Sequence, residues 1–354
     1  MPERSPFTAP SLDWLLVSVP VAIVFELAGG PDLAIFIFSA VGIVPLAGLI
    51  GRSTDQLATH LGPRSGGLLN ATFGNVTELI IAVFLVLDDR LDVVKLSMTG
   101  SILGNLLLVL GLSLLLGGVR YTEQSFNARS AQVHATSLVL AVTGLLMPAI
   151  FAHSGDASKI QREVVSVTVA IVLIVLYLGA LAFTMVTHEH LFRTPSAEEE
   201  PTWSRRRALG ALLVATAFVG LLSEFLVGSI DPAIDALGLS QGFVGLILIP
   251  IIGNAAEHSS AVLFALRNKV DVSLEIAIGS STQIALFVAP VLVFVSLLVG
   301  HPMDFVFTTF EIASVALSTV LVFMISADGW SNWLEGAQLT GAYAIMAISF
   351  FFIQ

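Results

Sequence analysis

Two short patterns lie deep inside apolar stretches, Gly74-Asn75-Val76-Thr77-Glu78 and Gly253-Asn254-Ala255-Ala256-Glu257, 179 positions apart (74 to 253). The same offset, without a gap, carries Ala82 onto Ala261, Val83 onto Val262, Leu87 onto Leu266, Asp92 onto Asp271, Val93 onto Val272, Gly100 onto Gly279 and Ser101 onto Ser280. The chain is an internal duplication. A carboxylate at membrane depth costs on the order of 3 kcal/mol or more and by default marks a functional site. Residues three apart on a helix share a face, so Asn75 and Glu78 present an amide and a carboxylate to one spot, as do Asn254 and Glu257. Hard dications take six to eight oxygens from such groups, from backbone carbonyls and from water. Two Glu and two Asn brought together would make a divalent-cation site. Gly74 and Gly253 remove a side chain beside these ligands. Pro250, three residues before Gly253, is expected to interrupt the helical ladder and free carbonyls for coordination.

The second duplicated segment aligns Thr99-Gly100-Ser101-Ile102-Leu103-Gly104-Asn105 with Ile278-Gly279-Ser280-Ser281-Thr282-Gln283. Close packing through small residues explains the Gly-Ser pairs as well as function does. Asn105 and Gln283 are harder to dismiss, because each shares a face with its Ser and could line a cation path. The plain alternative for the Asn and Glu residues is helix-to-helix hydrogen bonding as structural glue. Recurrence at one offset argues against it, since glue has no need to repeat symmetrically. His258 follows Glu257 where the first copy has Leu79, and its ordinary titration range suits a proton relay or a neutral hydrogen-bonded ring. Glu224 is a candidate entry carboxylate. Glu311, expected about two turns into its helix, reads as a buried hydrogen-bonded acid.

The elements that must position these residues are membrane helices. The chain is 56% hydrophobic and 12% charged, with mean hydropathy +0.93, against roughly 25% charged residues in an ordinary soluble domain. Apolar runs of crossing length fall near 12–28, 32–50, 67–87, 93–116, 130–152, 163–187, 207–228, 240–266, 272–299, 305–326 and 335–354. The expected fold is an all-α membrane protein of about eleven transmembrane helices: one extra N-terminal helix (1–30) and two inverted five-helix repeats (31–187 and 207–354), joined by a polar linker (188–206). Alternate loops collect Arg4, Arg52, Arg64, Arg120, Arg129, Arg193, Arg205, Arg206, Arg207, Arg267 and Lys269 on one side, and Arg90, Lys95, Lys159 and Arg162 on the other. The positive-inside rule then puts the N-terminus in the cytoplasm and the C-terminus outside. Five spans separate the two motifs, so their helices run in opposite directions, the arrangement of secondary transporters with sites at the repeat interface.

Several classes are disfavoured. The chain has no Cys, so disulfides, thiolate metal sites and a cysteine nucleophile are excluded. No Walker-type phosphate loop is present, and His188, Glu189 and His190 lack the spacing of a zinc peptidase, position 192 being Phe. The chain reads as no enzyme, with no resident cofactor and no nucleic-acid partner. No removable signal peptide is read at the N-terminus, so the first span is expected to remain. A passive cation channel is the main rival, although channels arrange their ligands around an axis normal to the membrane whereas an inverted pair has its axis in the membrane plane.

At this point GNVTELIIAV and GNAAEHSSAV, with RNKVDVSLEIAIGSSTQIALFV at 267–288, resemble the two signature repeats of the Ca²⁺/H⁺ antiporter family of the cation/Ca²⁺ exchanger superfamily. The likeness extends through FNARSAQVHATSLVL (126–140), VLYLGALAFTMVTHEHLF (175–192) and WLEGAQLTGAYAI (333–345), and so over nearly all of 31–354. It implies Ca²⁺ and H⁺ as substrates, alternating access, and an eleven-span fold. It also implies Glu78 and Glu257 as the central cation-binding and proton-accepting acids, with Asn75, Asn254, Ser101, Ser280 and Gln283 near them. The repeats lack the GSSAPE-like signature of Na⁺/Ca²⁺ exchangers, which disfavours the alternative of Na⁺ coupling. The linker holds only Glu198 to Glu200 where eukaryotic members carry a longer acidic segment. The expected setting is the plasma membrane of a prokaryote, with the lipid bilayer as partner and homo-oligomerisation open.

The charge bias yields a topological prediction. A reporter fused after Arg206 should read cytoplasmic and one at Gln354 external; both on one side would remove the inverted arrangement.

Overall fold

Backbone N–H and C=O groups in hydrocarbon must be satisfied within their own segment, and each long apolar run is accordingly helical. The computed structural model describes residues 12–155, 158–188 and 201–352. The first eleven residues, most of the expected 188–206 linker with Glu189, His190 and Glu198 to Glu200, and the last two residues lie outside the described residues. Among the described residues seven helices are long and apolar enough to cross a membrane: Asp32–Leu61, Leu91–Arg120, Ala128–His153, Lys159–Thr187, Arg205–Gly228, Gln241–Ala265 and Val270–Val299. A bent pair, Pro63–Phe73 with Val76–Leu87, brings the number to eight if it is one span, and Thr309–Ile325 is a shorter apolar helix. A 3-10 turn entering Ser18–Leu27 opens the described chain, and Trp333–Phe352 closes it.

Three features depart from the sequence reading. The helix expected at 32–50 continues to Leu61, because Arg52, Ser53, Thr54 and Asp55 extend it past its apolar part. The helix expected at 305–326 starts only at Thr309, where a capping box forms: Thr308 Oγ1 accepts from the Glu311 amide (3.3 Å), and Glu311 Oε2 accepts from the Thr308 amide (2.8 Å). Glu311 therefore sits in the first turn rather than two turns in. The fold is also not purely helical, since Gln124–Ser125 pairs antiparallel with Trp330–Ser331 and ties two connecting loops.

Connections touch one another in two separate groups. In one, Arg90 forks onto Asp231 with Nη1 and Nη2 at 2.6 and 2.8 Å, Lys95 Nζ reaches Asp304 at 2.7 Å, and His301 Nδ1 lies 3.0 Å from Asp89. In the other, the Tyr121 hydroxyl donates to the Leu266 carbonyl (3.4 Å), Gln124 Nε2 to Asn268 (3.2 Å), and Arg205 to the His60 carbonyl (2.9 Å). Arg90 holds Asp231 below the usual carboxylate range by hydrogen bonding.

Close backbone approach brings the helices of the two halves together. Asp32–Leu61 meets Gln241–Ala265 where a Cβ on Gly48 would stand 3.8 Å from the Ala256 Cβ. Leu91–Arg120 presses on the same partner through Gly100, where a Cβ would overlap the Leu246 carbonyl oxygen. Gly279, its counterpart, faces open space. Gly100→Ala should therefore destabilise the protein by about 1–3 kcal/mol, the usual cost of overpacking, while Gly279→Ala leaves stability unchanged. Thermal unfolding in detergent would check this; equal melting temperatures for the two variants would contradict the contact.

Candidate functional site

The first motif sits on a break. The helix Pro63–Phe73 stops at Gly74 and Asn75, where Asn75 takes φ −100° and ψ 19°, and the chain restarts as Val76–Leu87 after a 41° bend. Glu78 thus falls in the first turn of a helix, where the exposed N–H groups and the helix dipole favour an anion. The second motif runs unbroken through Ile249–Ala265. Pro250 lies ten residues into the continuous helix Gln241–Ala265, directly after a π-helical turn at Val244–Leu248, so the expected interruption of the ladder takes the form of a distortion and not of a break. The carbonyl four residues before it, Leu246, packs on Gly100, and Pro250's own carbonyl accepts from Asn254 Nδ2 at 3.0 Å.

Each motif glycine faces the acid of the other copy. A Cβ on Gly74 would stand 3.7 Å from Glu257 Oε1, and one on Gly253 would stand 3.0 Å from Glu78 Cγ. The absent side chains let the two motif helices cross with their acids in one place. Asn75, Asn254, Ser101, Ser280 and Asn105 are buried; Glu78, Glu257, His258 and Gln283 are partly buried.

The hydrogen bonds exchange partners between the halves. Ser280 Oγ donates to Asn75 Oδ1 at 2.7 Å, and at the equivalent place Asn254 Nδ2 donates to Ser101 Oγ at 3.2 Å. Ser101 also stands beside Glu78, and Ser280 beside Glu257. Asn254 Nδ2 further donates to Glu78 Oε1, while Asn75 Nδ2 donates to Gln283 Oε1 at 2.7 Å. Asn105 joins from the π-helical turn Gly104–Val109, its Nδ2 donating to Ser280 Oγ (3.2 Å) and its Oδ1 lying 3.0 Å from His258 Nε2. Such turns recur at functional sites, and another, Ile284–Val288, follows Gln283 in the second copy.

The structure thus brings Glu78, Glu257, Asn75, Asn254, Ser101, Ser280, Asn105, Gln283 and His258 together. Two acceptors in the cluster are buried with no hydrogen-bond partner, Asn254 Oδ1 and Glu257 Oε2. Unsatisfied oxygens at that depth are costly unless a cation or proton comes to them. Among the described residues no group of three or more His, Cys, Asp or Glu could hold a metal. The donor set is instead two carboxylates with amide and hydroxyl oxygens, which suits a hard cation.

Glu224 is not part of this cluster. Gly220 lies against Phe84, with a Cβ there 3.9 Å from its ring, and both helices run toward the Arg90–Asp231 contact. One turn beyond Gly220, the exposed Glu224 is level with the far end of the Glu78 helix. Glu311 is buried, accepting from Thr99 Oγ1 (3.3 Å) and Thr308 Oγ1 (2.8 Å), as the hydrogen-bonded reading expected. Sequence reasoning missed Gly104. The 179-residue offset pairs it with Gln283, as it pairs Leu79 with His258, and the His258 ring occupies the room beside it, 3.9 Å from a Cβ on Gly104.

Comparison with known proteins extends over the whole fold. The family model described as sodium/calcium exchanger protein matches residues 32–186 and 207–352. The Ca²⁺/H⁺ antiporter of Synechocystis sp. is 44% identical over 357 residues, covering 96% of both chains. The Ca²⁺/H⁺ antiporter ChaA of Bacillus subtilis is 43% identical over 342 residues, covering 95% of this chain and 97% of its own. Among solved structures, native YfkE superposes with a TM-score of 0.85 at 39% identity, over 97% of this chain and 100% of that one.

Proposed function

This chain belongs to the sodium/calcium exchanger protein family, among the Ca²⁺/H⁺ antiporters, and on that premise we propose that it exchanges Ca²⁺ for H⁺ by alternating access. The single observation that carries the site assignment is the pair of acids from the two copies meeting among neutral donors, with Glu257 Oε2 and Asn254 Oδ1 left without partners. Glu78 and Glu257 bind the dication, and Asn75 and Asn254 flank it. Ser101, Ser280, Asn105, Gln283 and His258 support the ligands and line the path. Glu224, exposed one turn beyond Gly220, lies toward the far end of the Glu78 helix and outside the ligand set.

The chemistry follows from charge. Two carboxylates in a dry, shared site do not both stay ionised without a cation between them, because desolvation and mutual repulsion oppose it. A bound Ca²⁺ supplies two positive charges; without it, protons do. Metal binding therefore releases protons, and opening the same acids alternately to the two faces exchanges one ion for the other. No nucleotide is needed, and the protein acts as a transporter rather than an enzyme.

For the layout we favour eleven spans, with one extra N-terminal helix and two inverted five-helix repeats, 31–187 and 207–354. The sorting of loop contacts supports it: Arg90 with Asp231, Lys95 with Asp304 and His301 with Asp89 join loops of one parity. Tyr121 with Leu266, Gln124 with Asn268 and Arg205 with His60 join loops of the other. The chain is an integral multi-pass membrane protein. The charge bias supports a cytoplasmic N-terminus and an external C-terminus in a bacterial plasma membrane, with Ca²⁺ expelled as protons enter.

Glu78→Gln and Glu257→Gln should each abolish exchange in reconstituted vesicles while the protein stays folded, since each keeps the shape but removes one balancing charge. Near-normal Ca²⁺ uptake by either variant would refute the site. The sign of the pH effect is also set. Apparent Ca²⁺ affinity should fall as pH drops from about 8 to about 5, a range bracketing carboxylates in dry, like-charged surroundings. Calorimetry in buffers of different ionisation enthalpy should register proton release on Ca²⁺ binding. An affinity indifferent to pH, with no proton release, would favour a passive channel.

A further inference from the structure

The two halves of the cluster are not equivalent, and the difference traces to one pair of positions. Asn254 and Asn75 occupy matching places, each bonded to the Ser that associates with an acid: Asn254 to Ser101, which stands by Glu78, and Asn75 to Ser280, which stands by Glu257. By that correspondence the Asn75 amide should donate to Glu257 as the Asn254 amide donates to Glu78. It does not. Gln283 Oε1 takes the Asn75 Nδ2 hydrogen bond at 2.7 Å, and Ser280 Oγ donates to its Oδ1 at 2.7 Å. Both ends of the Asn75 side chain are thereby committed. At the position matching Gln283 the first copy has Gly104, so no second side-chain amide draws the Asn254 amide away; shared with Ser101 Oγ and the Pro250 carbonyl, it also reaches Glu78 and leaves its own Oδ1 without a partner.

We propose that Gln283 is a positioning residue that holds the Asn75 amide away from Glu257. Glu257 then meets the incoming divalent cation with a free oxygen, and Asn254 is the ligand that must turn. An amide N–H resting on a carboxylate competes with a cation for the same oxygen, and hydrogen bonds to charged groups are the stronger kind. Glu257 Oε2 carries no such competitor. On the other side the cation displaces the Asn254 amide from Glu78, and a half-turn of that amide presents the oxygen that the ion-free arrangement leaves unused. One acid is open for capture; the other closes on the ion once Asn254 has turned. This inference rests on the cation-exchange reading of the same cluster.

The test separates the two. Gln283→Met keeps the length of the side chain and removes the acceptor, so the Asn75 amide is released onto Glu257. The expected result is an apparent Ca²⁺ affinity weaker by on the order of tenfold, the scale of one added hydrogen bond to a charged group. In an Asn75→Ala background, where no amide remains to be released, Gln283→Met should change Ca²⁺ affinity no further; a packing defect would instead add its cost in both backgrounds. Gln283→Glu retains an acceptor and should not weaken affinity, which keeps the idea open to refutation even if the Met variant fails to fold. Unchanged affinity in Gln283→Met, additive losses with Asn75→Ala, or weakened affinity in Gln283→Glu would each overturn the lock. Glu257→Gln is measured alongside: if it is inactive while Gln283→Met binds normally, only the lock falls, and if it still transports, the exchange site itself is wrong.

Discussion

Two carboxylates held together at membrane depth without a basic partner set the terms for everything around them. At an effective dielectric near 20, two like charges a few ångströms apart repel by several kcal/mol, on top of the cost of drying each one. Among the described residues the ion pairs are spent elsewhere: Arg52 on Asp13, Arg90 on Asp88 and Asp231, Lys95 on Asp304, Lys159 on Glu163. The donors left to the acids are the Asn254 amide and the Ser101 hydroxyl, both neutral, while the Ser280 hydroxyl beside Glu257 gives its hydrogen to Asn75 Oδ1. Neutral donors soften the field without cancelling it. The remaining charge has to be supplied by something mobile, and that requirement is what couples a dication to protons.

Bringing two acids so close is a backbone problem before it is an electrostatic one. Gly74 and Gly253 take away the side chains that would stand between the motif helices, and Gly100 allows the helix bearing Ser101 to seat against the Leu246 carbonyl. The two copies reach the site by different local routes. In the first the helix is broken at Gly74 and Asn75, so Glu78 begins a new helix; in the second the distortion is moved upstream, into the π-helical turn Val244–Leu248, and Glu257 lies mid-helix. Equal sequence signals therefore produce unequal surroundings, with a helix terminus facing one acid and none facing the other.

Much of this was legible beforehand. Hydropathy located nearly every helix, because a backbone in lipid has few alternatives, and the 179-residue offset singled out the residues that the structure brings together. What failed were inferences about local backbone. Pro250 drew attention as a helix breaker, yet the helix continues through it with only a π-helical turn before it, and the actual break falls where Gly74 and Asn75 carry no stronger warning than their counterparts in the second copy. The end of the helix at Leu61 and the late start at Thr309 depend on polar residues, Asp55 and the Thr308–Glu311 cap, to which hydropathy is blind. Gly104 was overlooked because an absent side chain gives no signal until its counterpart, Gln283, is seen to act.

The exchange of partners between halves bears on why such a site transports rather than leaks. Asn75 relies on Ser280, and Asn254 on Ser101, so each half completes the other's ligands. A displacement of one half against the other cannot loosen a single ligand alone; it changes the surroundings of both acids together. In the proposed site, a cation held between them would face one side or the other according to how the halves sit, which is the property alternating access demands. A leak would need a continuous polar path past the acids. The motif amides and the serines around them are instead committed to one another, and the unpaired oxygens among the described residues of that network, Glu257 Oε2 and Asn254 Oδ1, belong to the acid and amide proposed to hold the cation.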